Sequence, residues 1–199
     1  MEKVYALVQD REITLYPLTQ DQINQRNNPY EDYFEVFYNQ KPVYTPLTQY
    51  LEETPVVIAN YVLVNYEVKL KTIEHLLGEI FEIAGTIVNG NPFIDISQVP
   101  PDLLTATVDL VKIRTQSLLD NFAKTRDYDD IKSVCSYKDS TVEKFRLEAV
   151  RAIYLRDTTW ESLNNYLNNV ISGNASVPLG WNDIVSNLPT LSWDTPDTY

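Results

Sequence analysis

One histidine (His75), one cysteine (Cys135) and five glycines in 199 residues leave few parts for the common catalytic sites. Zinc centres draw on His and Cys. Nucleophile–base pairs need a hydroxyl or thiol beside an imidazole. Phosphate cradles need a glycine-rich loop running into a helix with a lysine. Basic residues are scarce too: 16 stand against 28 acids, a net charge of −12. That balance argues against non-specific nucleic-acid binding, whose footprint is a basic stripe, and against docking on an anionic membrane. Long apolar runs are missing. Val56 to Tyr66 is broken by Asn60 and Asn65 and falls short of the roughly 20 residues that span a bilayer. The start, Met1-Glu-Lys-Val-Tyr-Ala-Leu-Val, has neither the basic opening nor the apolar core of a secretory signal. A lone cysteine forms no internal disulfide, which fits folding in a reducing cytoplasm. The expectation is an acidic, soluble chain that is not an enzyme and uses no cofactor or metal, no nucleic acid and no membrane.

What is present suffices for a core. Hydrophobic residues make up 44% of the chain, too many for a disordered one, and the length suits one large domain or two small ones. Residues 1–70 read as β structure. Val4, Ala6 and Val8 alternate with Tyr5, Leu7 and Gln9, and Ile13, Leu15 and Pro17 follow a polar break at Gln9-Asp10-Arg11-Glu12, the pattern of a hairpin. An amide-rich loop is expected over Gln20 to Asn28, and then comes the aromatic run Tyr33 to Tyr38. Pro42, Pro46 and Pro55 confine nearby strands to edges or ends. Val56 to Lys69 reads as a strand pair turning near Ala59-Asn60, with Val62, Val64, Tyr66 and Val68 on one face.

From Lys71 the period turns helical, with Ile73, Leu76, Leu77, Ile80, Phe81 and Ala84 on one stripe. Gly85 to Pro101 is rich in breakers and marks the boundary expected between two halves, and Pro101 suits the first turn of the next helix. That helix carries Leu104, Val108, Val111, Thr115, Leu118 and Phe122 at the 4-3-4-3-4 spacing of a helix–helix seam. Ser140-Thr-Val-Glu143 has the form of a capping box, and a second seam follows through Phe145, Ala149, Ala152, Arg156, Trp160, Leu163, Leu167 and Val170 to a stop at Gly173. The expected architecture is α+β. It comprises a small antiparallel β-rich docking part (1–70), a helix and Pro/Gly linker (71–101), and an antiparallel helical hairpin whose C-terminal tail wraps over it (102–199).

Residues that could carry chemistry have plainer readings. His75 lacks partner ligands and reads as a surface histidine; Cys135 reads as a small buried residue. Asp127, Asp129 and Asp130 are three acids among 28, with no sign of the paired carboxylates a glycosidase needs. Arg156 is the informative one. A guanidinium on an apolar seam must be paired, since an unpaired buried charge costs several kcal/mol. Arg126, Tyr128, Asp129, Glu148, Arg156 and Asp157 are therefore expected to form a polar lock between the connector and the long helix; the alternative is that Arg156 snorkels to solvent along the Trp160 ring. The aromatics Tyr30, Tyr33, Phe34, Phe37, Tyr38, Tyr44 and Tyr50 crowd the proline-punctuated segment, either as an interface or as local packing.

Across 120–193 the chain has Ala123-x-x-Arg126-x-Tyr128-Asp129, Ser133-x-Cys135-x-Tyr137, Phe145-x-x-Glu148, Arg156-Asp157-x-x-Trp160 and Leu188-Pro-x-Leu-x-Trp193. This series resembles a small C-terminal module common in bacteriophage tail proteins. The first 75 residues resemble, more loosely, the N-terminal part of tail-fibre assembly proteins, with Ala59-Asn60 where relatives often have Asp-Gly and a tyrosine where they often have tryptophan. The resemblance implies a structural component of a phage tail, fibre- or baseplate-associated, or alternatively a fibre-assembly chaperone that leaves before the virion matures. It implies other tail proteins as partners and a virion location after synthesis in the host cytoplasm, and it brings no catalytic residues. The helical seams suit a monomer or an oligomer equally.

Overall fold

The computed structural model describes residues 3–26, 28, 31–88 and 91–194. The chain is α+β and divides into two compact units, 1–71 and 72–199. The division falls at the end of the β-rich part, and the segment expected as a linker contributes elements to the second unit.

The first unit holds β1 (Tyr5–Gln9), β2 (Glu12–Leu18), α1 (Gln20–Arg26), β3 (Asp32–Tyr38), β4 (Gln49–Ile58) and β5 (Tyr61–Leu70). The strand order is β2-β1-β3-β5-β4. Three of the four pairings are antiparallel, but β3 and β5 run parallel, so the sheet is mixed rather than purely antiparallel. Pro17 and Pro55 lie on β2 and β4, the two terminal strands of that order, where a missing amide leaves no ladder bond unmade. Register shifts in the β1–β2 pair place bulges on β2, which bend it. The two terminal strands approach each other, and the sheet curls. Its inner face packs Ala6, Val8, Val36, Val62 and Val64 with Ile13, Phe34, Val57 and Tyr66.

The amide-rich stretch expected as a loop is instead the helix α1. Its start is a reciprocal cap: the Gln22 backbone amide donates to Thr19 Oγ1 (3.3 Å), and the Thr19 amide donates to Gln22 Oε1 (2.8 Å). Thr19-x-x-Gln22 was the available signal. Both expected hairpins form. Asp10 and Arg11 take positive φ of 52° and 68° in the first turn, as a two-residue hairpin demands. In the second, Ala59 takes φ 45°, a conformation that crowds its Cβ.

The second unit holds α2 (Ile73–Ala84), the ribbon β6 (Gly85–Val88) and β7 (Asn91–Ile94), α3 (Pro101–Lys124), α4 (Ile131–Ser136), α5 (Glu143–Ile171) and α6 (Trp181–Val185). Asn89 and Gly90, expected as a turn, lie outside the described residues. Gly85 joins α2 to β6 so tightly that a Cβ there would collide with the Phe81 carbonyl and ring. Helices α3 and α5 are antiparallel. Leu119, Phe122 and Ala123 near the end of α3 cluster with Ala152 and Leu155 near the start of α5, while Leu104 and Val108 share an apolar cavity of about 40 Å³ with Leu167 and Val170.

The seams run along neighbouring lines to those expected. On α3 every fourth residue is buried: Leu103, Thr107, Val111, Thr115, Leu119 and Ala123. Leu104, Val108 and Leu118 are half-buried flanks of that ridge. The two buried threonines satisfy their hydroxyls on carbonyls one turn back, Leu103 (2.8 Å) and Val111 (2.9 Å). The expected capping box does not form. Ser140 closes a 3-10 turn over Tyr137–Asp139, its hydroxyl accepts from the Val142 amide, and α5 begins at Glu143 with no side-chain cap. At the other end Gly173, at φ 75°, stops the helix as expected.

Relieving the Ala59 backbone tests the second hairpin. Ala59→Gly should raise stability by about 0.5–1 kcal/mol, the left-handed penalty less the added unfolded-state entropy. Urea unfolding would show a higher midpoint at unchanged slope.

Candidate functional site

The residues singled out for chemistry are occupied structurally. His75 is exposed and caps α2: its Nδ1 accepts from the Thr72 amide (3.2 Å), and its own amide donates to Thr72 Oγ1 (3.4 Å). Asp130 caps α4 by accepting from the Ser133 amide (2.6 Å). Asp127 holds a left-handed turn at φ 63°, and Asp129 is exposed. Cys135 is half-buried beside Arg156, and burial raises its thiol pKa. Among the described residues no group of three or more His, Cys, Asp or Glu is placed to hold a metal ion, and no helix is long and apolar enough to cross a membrane.

The polar lock forms in part. Arg126 Nη1 and the Tyr128 hydroxyl both reach Glu148, at 3.1 and 2.7 Å. Burial, and then that bond, pushes the Tyr128 phenol up to about 12. Arg156 does not join. It pairs with its sequence neighbour Asp157 at 2.7 Å and stays a third exposed, and Asp129 makes none of these contacts. The buried guanidinium on α5 is Arg151, 6% exposed, whose Nε donates to the Ser192 carbonyl at 2.9 Å. Five residues along a helix is a rotation of about 140°, so an offset in the seam exchanges one arginine for the other. Ala152 belongs to the cluster against which Leu191 and Trp193 of the C-terminal segment pack.

That segment is held by two clasps of the same make. Trp193 stacks on Phe122 (4.2 Å between centroids, 16°), its indole N–H donates to Thr125 Oγ1 (2.8 Å), and Arg126 lies over its ring. Twelve residues earlier on α3, Arg114 lies over Trp181, and the Trp181 amide donates to Glu74 Oε1 (3.2 Å). Each arginine is also paired with a glutamate of another helix, Glu148 for Arg126 and Glu74 for Arg114. Sequence reasoning missed both tryptophan–arginine pairings, because nothing local links residues dozens of positions apart.

The candidate interface aromatics separate. Phe34 packs in the inner core, and Tyr33 is half-buried with its hydroxyl on Glu31, whose carboxyl the Arg26 guanidinium holds down at about 2. Tyr50 is half-buried on β4, Tyr44 is exposed, and Tyr30 lies outside the described residues. Phe37 is exposed on the outer face, edge-on to Tyr61 at 5.5 Å. Register continues that face as two rows across three strands, Phe37–Leu63–Val56 and Glu35–Tyr61–Ile58. Tyr38 lies on the inner face near Tyr16.

An open groove of about 500 Å³ in the second unit is lined by Tyr166, Asp183 and Asn187 among others. Two of its polar residues are engaged with the chain itself: Asp183 Oδ2 accepts from the Leu179 amide, and Asn187 Nδ2 donates to the Asp183 carbonyl, each at 2.8 Å. No family model, curated protein or solved structure matches the chain.

Trp193→Ala should cost about 2–3 kcal/mol, below the roughly 3–5 of a fully buried ring because Trp193 is half-buried. Arg156→Ala should stay within about 1 kcal/mol, as for an exposed pair. Thermal or urea unfolding of the two variants tests that ranking. The raised Tyr128 pKa means the folded state holds the phenol proton more tightly than the unfolded chain. Its contribution is complete below pH 10 and lost as pH rises towards about 12. Stability of the native chain should therefore fall more steeply over that interval than that of Tyr128→Phe.

Proposed function

We propose that this chain is a structural component of a bacteriophage tail, associated with a fibre or baseplate, that works by protein–protein contact without catalysis or a cofactor. The observation that carries the reading is what the motif residues of 120–193 do. Asp120 Oδ1 accepts from the Ile131 amide and orders the start of α4. Arg126 and Tyr128 meet on Glu148, and Trp193 stacks on Phe122. Residues that resemble the tail module are thus engaged in holding the helical unit together, which suits a module that places a surface rather than one that turns over a substrate.

The surface to be placed is the outer face of the β unit. Phe37, Val56 and Ile58 are exposed there beside Tyr61 and Leu63. An apolar patch with aromatic members is the usual core of a protein interface. The partners are other tail proteins, and the final location is the virion tail after synthesis in the host cytoplasm.

Quantitative mass spectrometry of purified particles, with copy number normalised to the major tail protein, tests this. A fixed copy number that survives stringent purification is expected. Absence from particles, with the chain bound to fibre protein in infected lysate, would replace the reading with that of an assembly chaperone.

A further inference from the structure

On the inner face of the curled sheet three tyrosines meet near one carboxylate, each brought by a different strand. The Tyr16 hydroxyl of β2 donates to Glu53 Oε2 of β4 at 2.8 Å, and the Tyr38 hydroxyl of β3 lies 3.1 Å from that of Tyr16. Tyr66 of β5 is the register partner of Glu53. The phenols of Tyr16 and Tyr66 are raised by burial and by this neighbourhood. Glu53 itself is exposed, and no cation stands within ion-pair distance of it among the described residues. The nearest sign of a cation is Lys41, whose ammonium sits 5.3 Å over the Tyr66 ring. Lys41 belongs to a connection that is exposed from Asn39 to Pro46 and tied at its ends, by Asn39 to Val64 and Asn65 and by Thr45 to Gln49.

We propose that this cluster binds an alkylammonium group, the side chain of a lysine on a partner protein, and that Lys41 is a tethered occupant which the incoming lysine displaces. The chemistry is that of cation recognition at an aromatic face, where the ring quadrupole attracts an ammonium and a nearby carboxylate supplies the opposing charge. The hydrogen bond from Tyr16 fixes the Glu53 carboxylate in advance, so little ordering is left for the moment of binding. An ammonium on an exposed, end-tied loop is held weakly enough to be exchanged. A chain of net charge −12 also favours a cationic partner group at longer range. The inference deepens the proposed function by giving its partner a chemical class, and its test is independent of what that partner is.

The experiment titrates n-butylammonium chloride into the full chain, against sodium chloride at matched ionic strength, and follows ring signals of labelled tyrosines by NMR. Saturable shifts at Tyr16, Tyr38 and Tyr66 that sodium does not produce are expected. Lys41→Ala should tighten binding about two- to five-fold by removing the competitor, and Glu53→Gln should weaken it by about five-fold or more. Equal shifts in sodium chloride, or a Lys41→Ala variant that binds no tighter, would overturn the proposal. Lys41 is exposed, so its variant reads the site even where Glu53→Gln fails to fold. Absence of the chain from phage particles would remove the tail reading and leave these shifts as they are.

Discussion

A helix of 24 residues whose every fourth side chain is apolar or threonine has to be covered along its whole length, and the helical unit is arranged around covering α3. Helices this long are held mainly by tertiary packing of one face rather than by propensity. α5 covers α3 in the antiparallel sense, α2 packs beside it, and the C-terminal segment is clasped at Arg114 and Phe122 of α3, with Arg126 from the turn that follows. The two clasps use α3 as a common rail. In each, the arginine binds a tryptophan face and a glutamate together, so the ring is shielded while the charge stays paired. An arginine serves here better than a lysine because its planar, weakly hydrated group can stack and hydrogen-bond at once.

The β unit meets a different constraint. A five-stranded sheet with one short helix has little to lay over its inner face, so it curls and covers that face with its own terminal strands. Small side chains make the curl possible: the inner core is alanine and four valines, with larger rings at its margins. The bulges of β2 supply the bend, and Tyr16, Tyr38 and Glu53 join the two ends. Curling inward leaves Phe37, Val56 and Ile58 exposed on the outer face, while Leu7 and Leu18 on that face are buried.

These two constraints bear on the functional reading from opposite sides. The acids and aromatics that looked like chemistry are engaged as caps, clasps and turn residues: Asp130 at α4, Glu148 under Arg126, His75 at α2. What the β unit leaves exposed on its outer face is apolar, with Phe37, Val56 and Ile58 there. Both features suit the proposed reading of a protein that works by assembly.

The sequence by itself determined the features that depend on neighbouring residues. The hairpins at Asp10-Arg11 and Ala59-Asn60, the confinement of Pro55 to a terminal strand, Pro101 in the first turn of α3 and the stop at Gly173 all follow from local backbone geometry and side-chain period. Thr19-x-x-Gln22 was equally local and was overlooked, whereas Ser140-x-x-Glu143 was local and misled, because a 3-10 turn competed for the serine. Only the tertiary structure decided that β3 pairs parallel with β5, that Arg151 rather than Arg156 is buried, and that Trp181 and Trp193 meet arginines far away in the chain. The reason is physical. Strand partners and seam positions are set by contacts between distant segments, and turning one helix against another exchanges a buried side chain for an exposed one without altering the local pattern.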